Sequence, residues 1–151
     1  MRAELREIND LNREECIALA VSAEQAEYIS PNADSLKEAE GIPEIARPFA
    51  VYADGQMVGF TMFAFDEIND DPDRYWLWRL MIGESFQGKG YGSAALEAII
   101  EYFRVNGADE ITLSTKESNT SALGLYHKFG FKENGEMNGG EIVLKKTLRQ
   151  P

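Results

Sequence analysis

Cysteine and histidine are almost missing from this sequence: Cys16 and His127 are the single representatives of each. One cysteine excludes an internal disulfide and suits a reducing compartment. The same scarcity argues against zinc sites and Ser-His nucleophile systems, which need several such side chains. No run of 18 apolar residues exists, and the opening MRAELREIND carries acids where a signal peptide needs an apolar stretch. Basic residues are scarce too. Fifteen Lys and Arg stand against 26 Asp and Glu, a formal charge of −11. No basic face is left to neutralise nucleic-acid phosphates, whereas a cationic partner is permitted. No repeat, low-complexity stretch or Pro/Gly/Ser linker interrupts the 151 residues, and 44% of them are apolar, enough to fill one core. The expectation is a soluble, cytoplasmic chain, folded as one domain over residues 1–151, with no membrane or nucleic-acid partner.

Hydropathy patterning orders the chain. A short strand over residues 3–7 precedes a mostly helical stretch to residue 47. There Asn12 can cap a helix with Cys16, Ile17, Ala20 and Val21 on one face. A second segment runs from Ser22 or Ala23 to Ile29 and ends at Ser30-Pro31-Asn32, and a third covers 35–40 before Gly41. Residues 48–53 and 56–65 are β-rich and joined by Asp54-Gly55, a two-residue hairpin signal. A connection over 66–74, with Asp66, Glu67, Asp70, Asp71 and Asp73, leads into YWLWRLMI (75–82). That run reads as a buried strand in which Trp76 and Trp78 alternate with Tyr75 and Leu77. Leu96, Ile99, Ile100 and Phe103 recur at helical spacing over 93–106, which Gly107 ends, and a strand follows at 110–114. A helix over 119–129 carries Ala122, Leu125, Tyr126 and Phe129 on one face and stops at Gly130. Strands 131–137 and 141–147 meet through Asn138-Gly139-Gly140. Antiparallel strands followed by βαβα and a hairpin predict a mixed α/β (α+β) sheet with helices on both faces.

Between the buried strand and the 93–106 helix lies Gly83-Glu84-Ser85-Phe86-Gln87-Gly88-Lys89-Gly90-Tyr91-Gly92-Ser93. Glycines at 88, 90 and 92 let the backbone approach a ligand and aim successive N–H groups at one point. The helix N-terminus adds about half a positive charge there. An acidic chain can hold a pyrophosphate in this way, with Lys89 as the local cation. The competing reading is a tight strand-to-helix turn with no ligand. A Walker A loop is rejected, because Gly90 stands where the magnesium-binding Ser or Thr must be. A dinucleotide fingerprint fits poorly, because antiparallel strands precede the turn where a parallel unit should open.

Gln87-Gly88-Lys89-Gly90-Tyr91-Gly92 resembles the Gln/Arg-x-x-Gly-x-Gly/Ala acetyl-CoA signature of the GNAT N-acetyltransferases. Downstream, Asn119-Thr120-Ser121-Ala122-Leu123-Gly124-Leu125-Tyr126-His127-Lys128-Phe129-Gly130-Phe131 resembles that family's second signature, Asn-x-x-Ala-x-x-Leu-Tyr-x-x-x-Gly-Phe. The likeness extends over the whole chain. VSAEQAEYISPNADSLKEAE, RPFAVY and LWRLMIGESFQGKGYG resemble the spermine/spermidine acetyltransferase subgroup. The resemblance implies a GNAT-like, mostly antiparallel sheet with a splayed central strand pair, acetyl-CoA as co-substrate, and a small cationic amine such as spermine or spermidine as acceptor. It admits a homodimer through the C-terminal strands. It further implies that Leu80, Met81 and Ile82 leave backbone groups free for the pantetheine arm, and that Gln87, Gly88, Lys89, Gly90, Tyr91, Gly92 and Ser93 hold the pyrophosphate. Asn119 would bond the pantetheine, with Ala122, Leu125 and Tyr126 beside it, and Lys128 would reach the adenosine phosphates. The V-shaped opening is expected between residues 75–82 and 110–114.

Tyr126 is the expected general acid, since a phenol of pKa about 10 beside a thiolate of pKa about 8.5 can protonate it. The competing reading makes Tyr126 the core partner of Ala122. A base is also required, because an alkylammonium is only ~0.04% neutral at pH 7, a handicap of roughly 4 to 5 kcal/mol. Some polyamine-acetylating relatives place a carboxylate on the strand before the turn, where Trp78 and Arg79 stand here. The candidates are therefore Glu84 at the strand's exit or, through water, Glu24 or Glu141, each also readable as a solvated surface acid. The acids of 66–74 with Glu24 and Glu27 would attract a cation, or serve solubility alone. Tyr28 and Trp78 offer cation–π faces to it. His127 reads as exposed and Cys16 as a small buried apolar residue, which favours direct transfer over an acyl-enzyme. Amino acids, aminoglycosides or protein amines are alternative acceptors, and a non-catalytic acetyl-CoA-binding module is the alternative to turnover.

Overall fold

Asp54 and Gly55 both adopt left-handed backbone, at φ 52° and 78°, as a two-residue mirror-image turn requires. They join β2 (Ala46–Ala53) to β3 (Gln56–Phe65), with Ala53 opposite Gln56. The computed structural model describes residues 1–67 and 73–148. In it β1 (Ala3–Glu7) pairs with β2, and β4 (Tyr75–Ile82) with β3, all antiparallel. Helix α3 (Tyr91–Val105) crosses over to β5 (Glu110–Thr115), which lies parallel to β4. Helix α4 (Thr120–Lys128) leads to β6 (Lys132–Asn138) and β7 (Glu141–Thr147), joined by Gly139-Gly140 at φ 56° and 86°. The seven strands run β1-β2-β3-β4-β5-β7-β6, the mixed, mostly antiparallel sheet that the sequence implies. No helix of the described residues is long and apolar enough to cross a membrane.

The N-terminal third departs from expectation. Helix α1 (Arg13–Ala18) stops short of Ala20 and Val21, because Leu19 turns extended at ψ 131°. Asn12 sits at its N-cap, yet its Oδ1 accepts the Asn9 N–H at 2.8 Å and braces the preceding loop instead. Residues 22–29 form a single 3-10 turn at Gln25–Glu27 rather than a helix. Helix α2 (Asn32–Gly41) begins where Ser30-Pro31-Asn32 was expected to end one. The reason is tertiary: the buried Asn32 donates Nδ2 to the carbonyls of Cys16 (2.9 Å) and Leu19 (3.4 Å), tying the start of α2 to the end of α1. Elsewhere the bounds agree within about two residues.

Both faces of the sheet are covered, which is why β3 is buried along all but its first residue. On one face Leu96, Ile99 and Phe103 of α3 pack on Phe63, Phe65, Leu77 and Leu113, with Leu125 and Tyr126 of α4 beside them. Phe103 stacks 4.8 Å from Phe63 and 4.9 Å from Phe65. On the other face Cys16, Leu36 and Ala39 meet Ala50, Phe60, Met62 and Met81. Alternation in β4 breaks once: Met62 pairs with Arg79 and Phe63 with Leu77, so Trp78 is an extra, bulged residue. Tyr75 and Leu77 face α3, and past the bulge it is Leu80 that returns to that face, while Met81 turns toward α2.

Two consequences can be measured. A Cβ on Gly59 would stand 2.3 Å from the Met81 carbonyl oxygen, so Gly59→Ala should lower the urea-unfolding free energy by about 1–3 kcal/mol. Burial pushes the Cys16 thiol up to about 11 from 9.0. The raised value means that its contribution to stability is present below pH 9 and lost as pH rises through 11. At pH 8 the native chain should therefore react with an aromatic disulfide reagent at least about 100-fold more slowly than the urea-unfolded chain.

Candidate active site

Strands β4 and β5 touch through one residue pair, Trp76 opposite Thr112. The bulge at Trp78 bends β4 away from that point, and the edge of Leu80, Met81 and Ile82 that faces β5 has no strand partner among the described residues. A cleft of about 730 Å³ opens there. Leu80, Met81 and Ile82 line one wall and Ser114 and Thr115 the other. Asn119, Ala122, Leu125 and Tyr126 of the α4 region close one side, and Val21, Gln25 and Tyr28 border it.

The glycine-rich turn forms one end. Gly88 and Gly90 are left-handed, at φ 74° and 88°, a conformation in which a side chain is strained. The N–H groups of residues 88 to 93 find no main-chain acceptor among the described residues, and they lie at or just before the start of α3, where the helix dipole is positive. Gln87 Nε2 donates to the Ile82 carbonyl and to Gln25 Oε1, both at 2.8 Å. Gln87, Gly88 and Gly92 line the cleft. Lys89 is exposed, with Nζ on the Ser85 carbonyl at 3.2 Å. Ser93 Oγ lies 3.5 Å from Lys128 Nζ. The Tyr91 ring belongs to the core with Val51, Val58 and Ala95, and its hydroxyl donates to Asp54 Oδ2 at 3.2 Å, so this residue offers the turn only its N–H. Unpartnered N–H groups at a helix start, flanked by two lysines, are chemically suited to a pyrophosphate.

Tyr126 is half-buried against Phe131, ring centroids 5.7 Å apart. Burial pushes its phenol up to about 12 from 10.0, further above neutral pH, where a tyrosine is already protonated. Asn119 Nδ2 donates to Thr115 Oγ1 at 3.3 Å. Glu141 is the one carboxylate among the described residues lining the cleft, and its Oε1 accepts the Ser114 hydroxyl at 2.8 Å. Tyr28, Trp76 and Trp78 also line it, and the Tyr28 hydroxyl donates to Ser118 Oγ at 3.2 Å. Glu84 and Glu24 are exposed and lie outside the lining, as do Lys89, Gly90, Tyr91, Ser93 and Lys128. Arg79 does line it, drawn toward α2 by Glu38 at 3.3 Å. In the acid-rich connection, Glu67 pairs with Arg47 (3.1 Å) and Asp73 with Lys145 (2.8 Å), while Asp70 and Asp71 lie outside the described residues. His127 is exposed, 3.4 Å from Glu133. Sequence reasoning missed the roles of Ser114, Gln25 and Trp76 in the cleft, and only the splay brings these three to one place.

Comparison with known proteins follows the same lines. The profile of the Acetyltransferase (GNAT) family matches residues 6–131. The spermine/spermidine N(1)-acetyltransferase of Bacillus subtilis strain 168 is 36% identical, over 98% of this chain and 100% of its own length. Among solved structures, spermidine N-acetyltransferase from Vibrio cholerae, in complex with CoA and spermine, superposes with a TM-score of 0.71 at 21% identity, covering 95% of this chain and 93% of that one. Aminoglycoside acetyltransferase AAC(6')-Ib in complex with coenzyme A gives 0.76 at 18% identity, covering 97% and 95%. These two likenesses speak for the fold. The profile and the end-to-end relative speak for more: the chain belongs to the GNAT acetyltransferase family, and acetyl-CoA is its co-substrate.

Proposed function

We propose that this enzyme acetylates a primary amine of a polyamine such as spermine or spermidine, by direct attack of the amine on the acetyl group of acetyl-CoA. The observation that carries the reading is the presence, in one cleft, of the Tyr126 phenol and, among the described residues, a single carboxylate, Glu141. The 36% identical relative, alike over its full length, supports the acceptor class. Bound acetyl-CoA supplies the activated acyl group. In this reading the N–H groups of residues 88 to 93 bind its pyrophosphate, with Lys89 and Lys128 alongside. The free edge at Leu80, Met81 and Ile82, with Asn119, Ala122 and Leu125, holds its arm.

Glu141 receives the substrate ammonium, orients it and gives its proton a place to leave. Ser114, by donating to Glu141 Oε1, fixes that carboxylate's orientation. Tyr28 and Trp78 supply aromatic faces to the rest of a polycation. Tyr126 donates its proton as a hydrogen bond to charge developing on the departing sulfur. Neither Cys16, buried on the α1 side, nor any other nucleophile enters the sequence of steps. The reading keeps the enzyme in the cytoplasm, and β6, exposed along its whole length, leaves a surface for a homodimer.

Tyr126→Phe should bind CoA within about threefold of the parent while turnover falls by about 10²–10⁴-fold, read by steady-state CoA release. Unchanged turnover would remove Tyr126 from the reaction. Glu141→Gln should raise the spermidine KM by at least about tenfold through loss of a charged contact, and leave CoA affinity alone, as titration calorimetry would record. A panel of polyamines, amino acids, aminoglycosides and peptide amines sorts the acceptor class. CoA binding without release for any amine would mark a binding module instead.

A further inference from the structure

Residues 20–30, between α1 and α2, cross the cleft as a strap fixed at both ends. Near the turn, the Glu84 N–H donates to the Ala20 carbonyl at 2.8 Å. Gln25 Oε1 accepts Gln87 Nε2 at 2.8 Å, and Gln87 donates its other contact to the Ile82 carbonyl at 2.8 Å. An amide nitrogen has two protons, so Gln87 is fully engaged and acts as a strut between the end of β4 and the strap. On the far wall, the Tyr28 hydroxyl donates to Ser118 Oγ at 3.2 Å, in the connection from β5 to α4. The strap thus spans the two sides of the splay.

Its chemistry is opposite to that of the turn it hangs from. The turn offers unpartnered N–H groups and Lys89, suited to an anion. The strap presents the half-buried ring of Tyr28 to the cleft, a face suited to a cation, while its carboxylates Glu24 and Glu27 are exposed outside the lining. Donor and acceptor substrates therefore meet different elements, and the side-chain amide pair Gln25–Gln87 joins them. A ligand that settles the turn also settles Gln87, and through it the position of Gln25 and the amine-facing wall.

We infer that Gln25 is a positioning residue that couples occupancy of the phosphate-facing turn to the amine-facing strap, so that the two substrates favour each other's binding. This rests on the assignment of turn and cleft under Proposed function. By linkage, each substrate must tighten the other by the same factor.

The chain's two tryptophans, Trp76 and Trp78, both line the cleft, so intrinsic fluorescence reports spermine binding directly. In the parent enzyme, saturating CoA should lower the spermine Kd at least about fivefold. Gln25→Leu, which removes the acceptor for Gln87, should bring that ratio within about twofold of one. Gln25→Glu retains an acceptor oxygen and should keep the ratio, which a merely structural disturbance of the strap would not allow. A Gln25→Leu enzyme with the parent ratio overturns the inference, as does loss of the ratio in both variants. Turnover on polyamines without any coupling in the parent also overturns it, and leaves the proposed function standing. No CoA release with any amine removes that function and the inference with it.

Discussion

The parallel joint between β4 and β5 consists of Trp76 opposite Thr112, and the cleft exists because the pairing stops there. Ending a ladder in mid-sheet is costly, since a buried backbone group without a partner forfeits about 1–3 kcal/mol. The fold limits the cost by leaving the unpaired edge of β4 on an open cleft, where water or a ligand can bond it. It also holds β4 firmly from the other side. The pairing with β3 continues to Ile82 opposite Gly59, where the absent side chain lets the Met81 carbonyl approach closely. The bulge at Trp78 supplies the bend, so one extra residue both opens the sheet and turns Trp78 and Arg79 onto the cleft.

An acidic chain that must hold an anion faces an electrostatic contradiction, and the layout of charges resolves it. The turn uses neutral main-chain dipoles in place of a basic patch, so an anion can be gripped without reversing the overall charge of −11. Much of the apparent acidity elsewhere is spent internally: Glu67 faces Arg47, Glu38 faces Arg79, and Asp73 and Glu136 share Lys145. The field outside the chain is therefore weaker than a count of carboxylates implies, and in the proposed reading a local group such as Glu141 would carry correspondingly more of the recognition of a cationic acceptor.

Elements whose signal is local were legible in the sequence. Asp54-Gly55, the apolar run 75–82, the periodicity of α3 and the glycines that end α3 and α4 each gave the right element at nearly the right bounds. Both signature motifs fall where the cleft is, because a glycine-rich turn and a helix start are short-range features. What escaped depends on distant partners. Asn32 starts a helix because it can reach the carbonyls of Cys16 and Leu19. Trp78 bulges because of its pairing with β3, and strict alternation along 75–82 carries no trace of that. On sequence, Glu84 at the strand's exit is the expected catalytic carboxylate, with Glu24 and Glu141 acting through water or on the substrate. Only the tertiary fold distinguishes Glu141, inside the cleft, from the exposed Glu24 and Glu84.

The proton inventory of the proposed reaction constrains how Tyr126 can act. At about 12 its phenol is a weaker acid than the leaving thiol, which sits at about 8.5 in water. Outright transfer between those values would run uphill by about 5 kcal/mol. Yet in the proposed reading, where the sulfur departs beside Tyr126, the burial that raises the phenol would raise the thiol as well, because a thiolate forming there also loses hydration. The two affinities rise together, and the gap closes as negative charge builds on sulfur. Tyr126 is then best suited to stabilise that charge by a hydrogen bond first and to complete the transfer late. A phenol left in water would give up that advantage, since solvent could serve the thiolate as well. The packing of Tyr126 on Phe131 at the edge of the core, which resembles ordinary core formation, is on this view part of the chemistry.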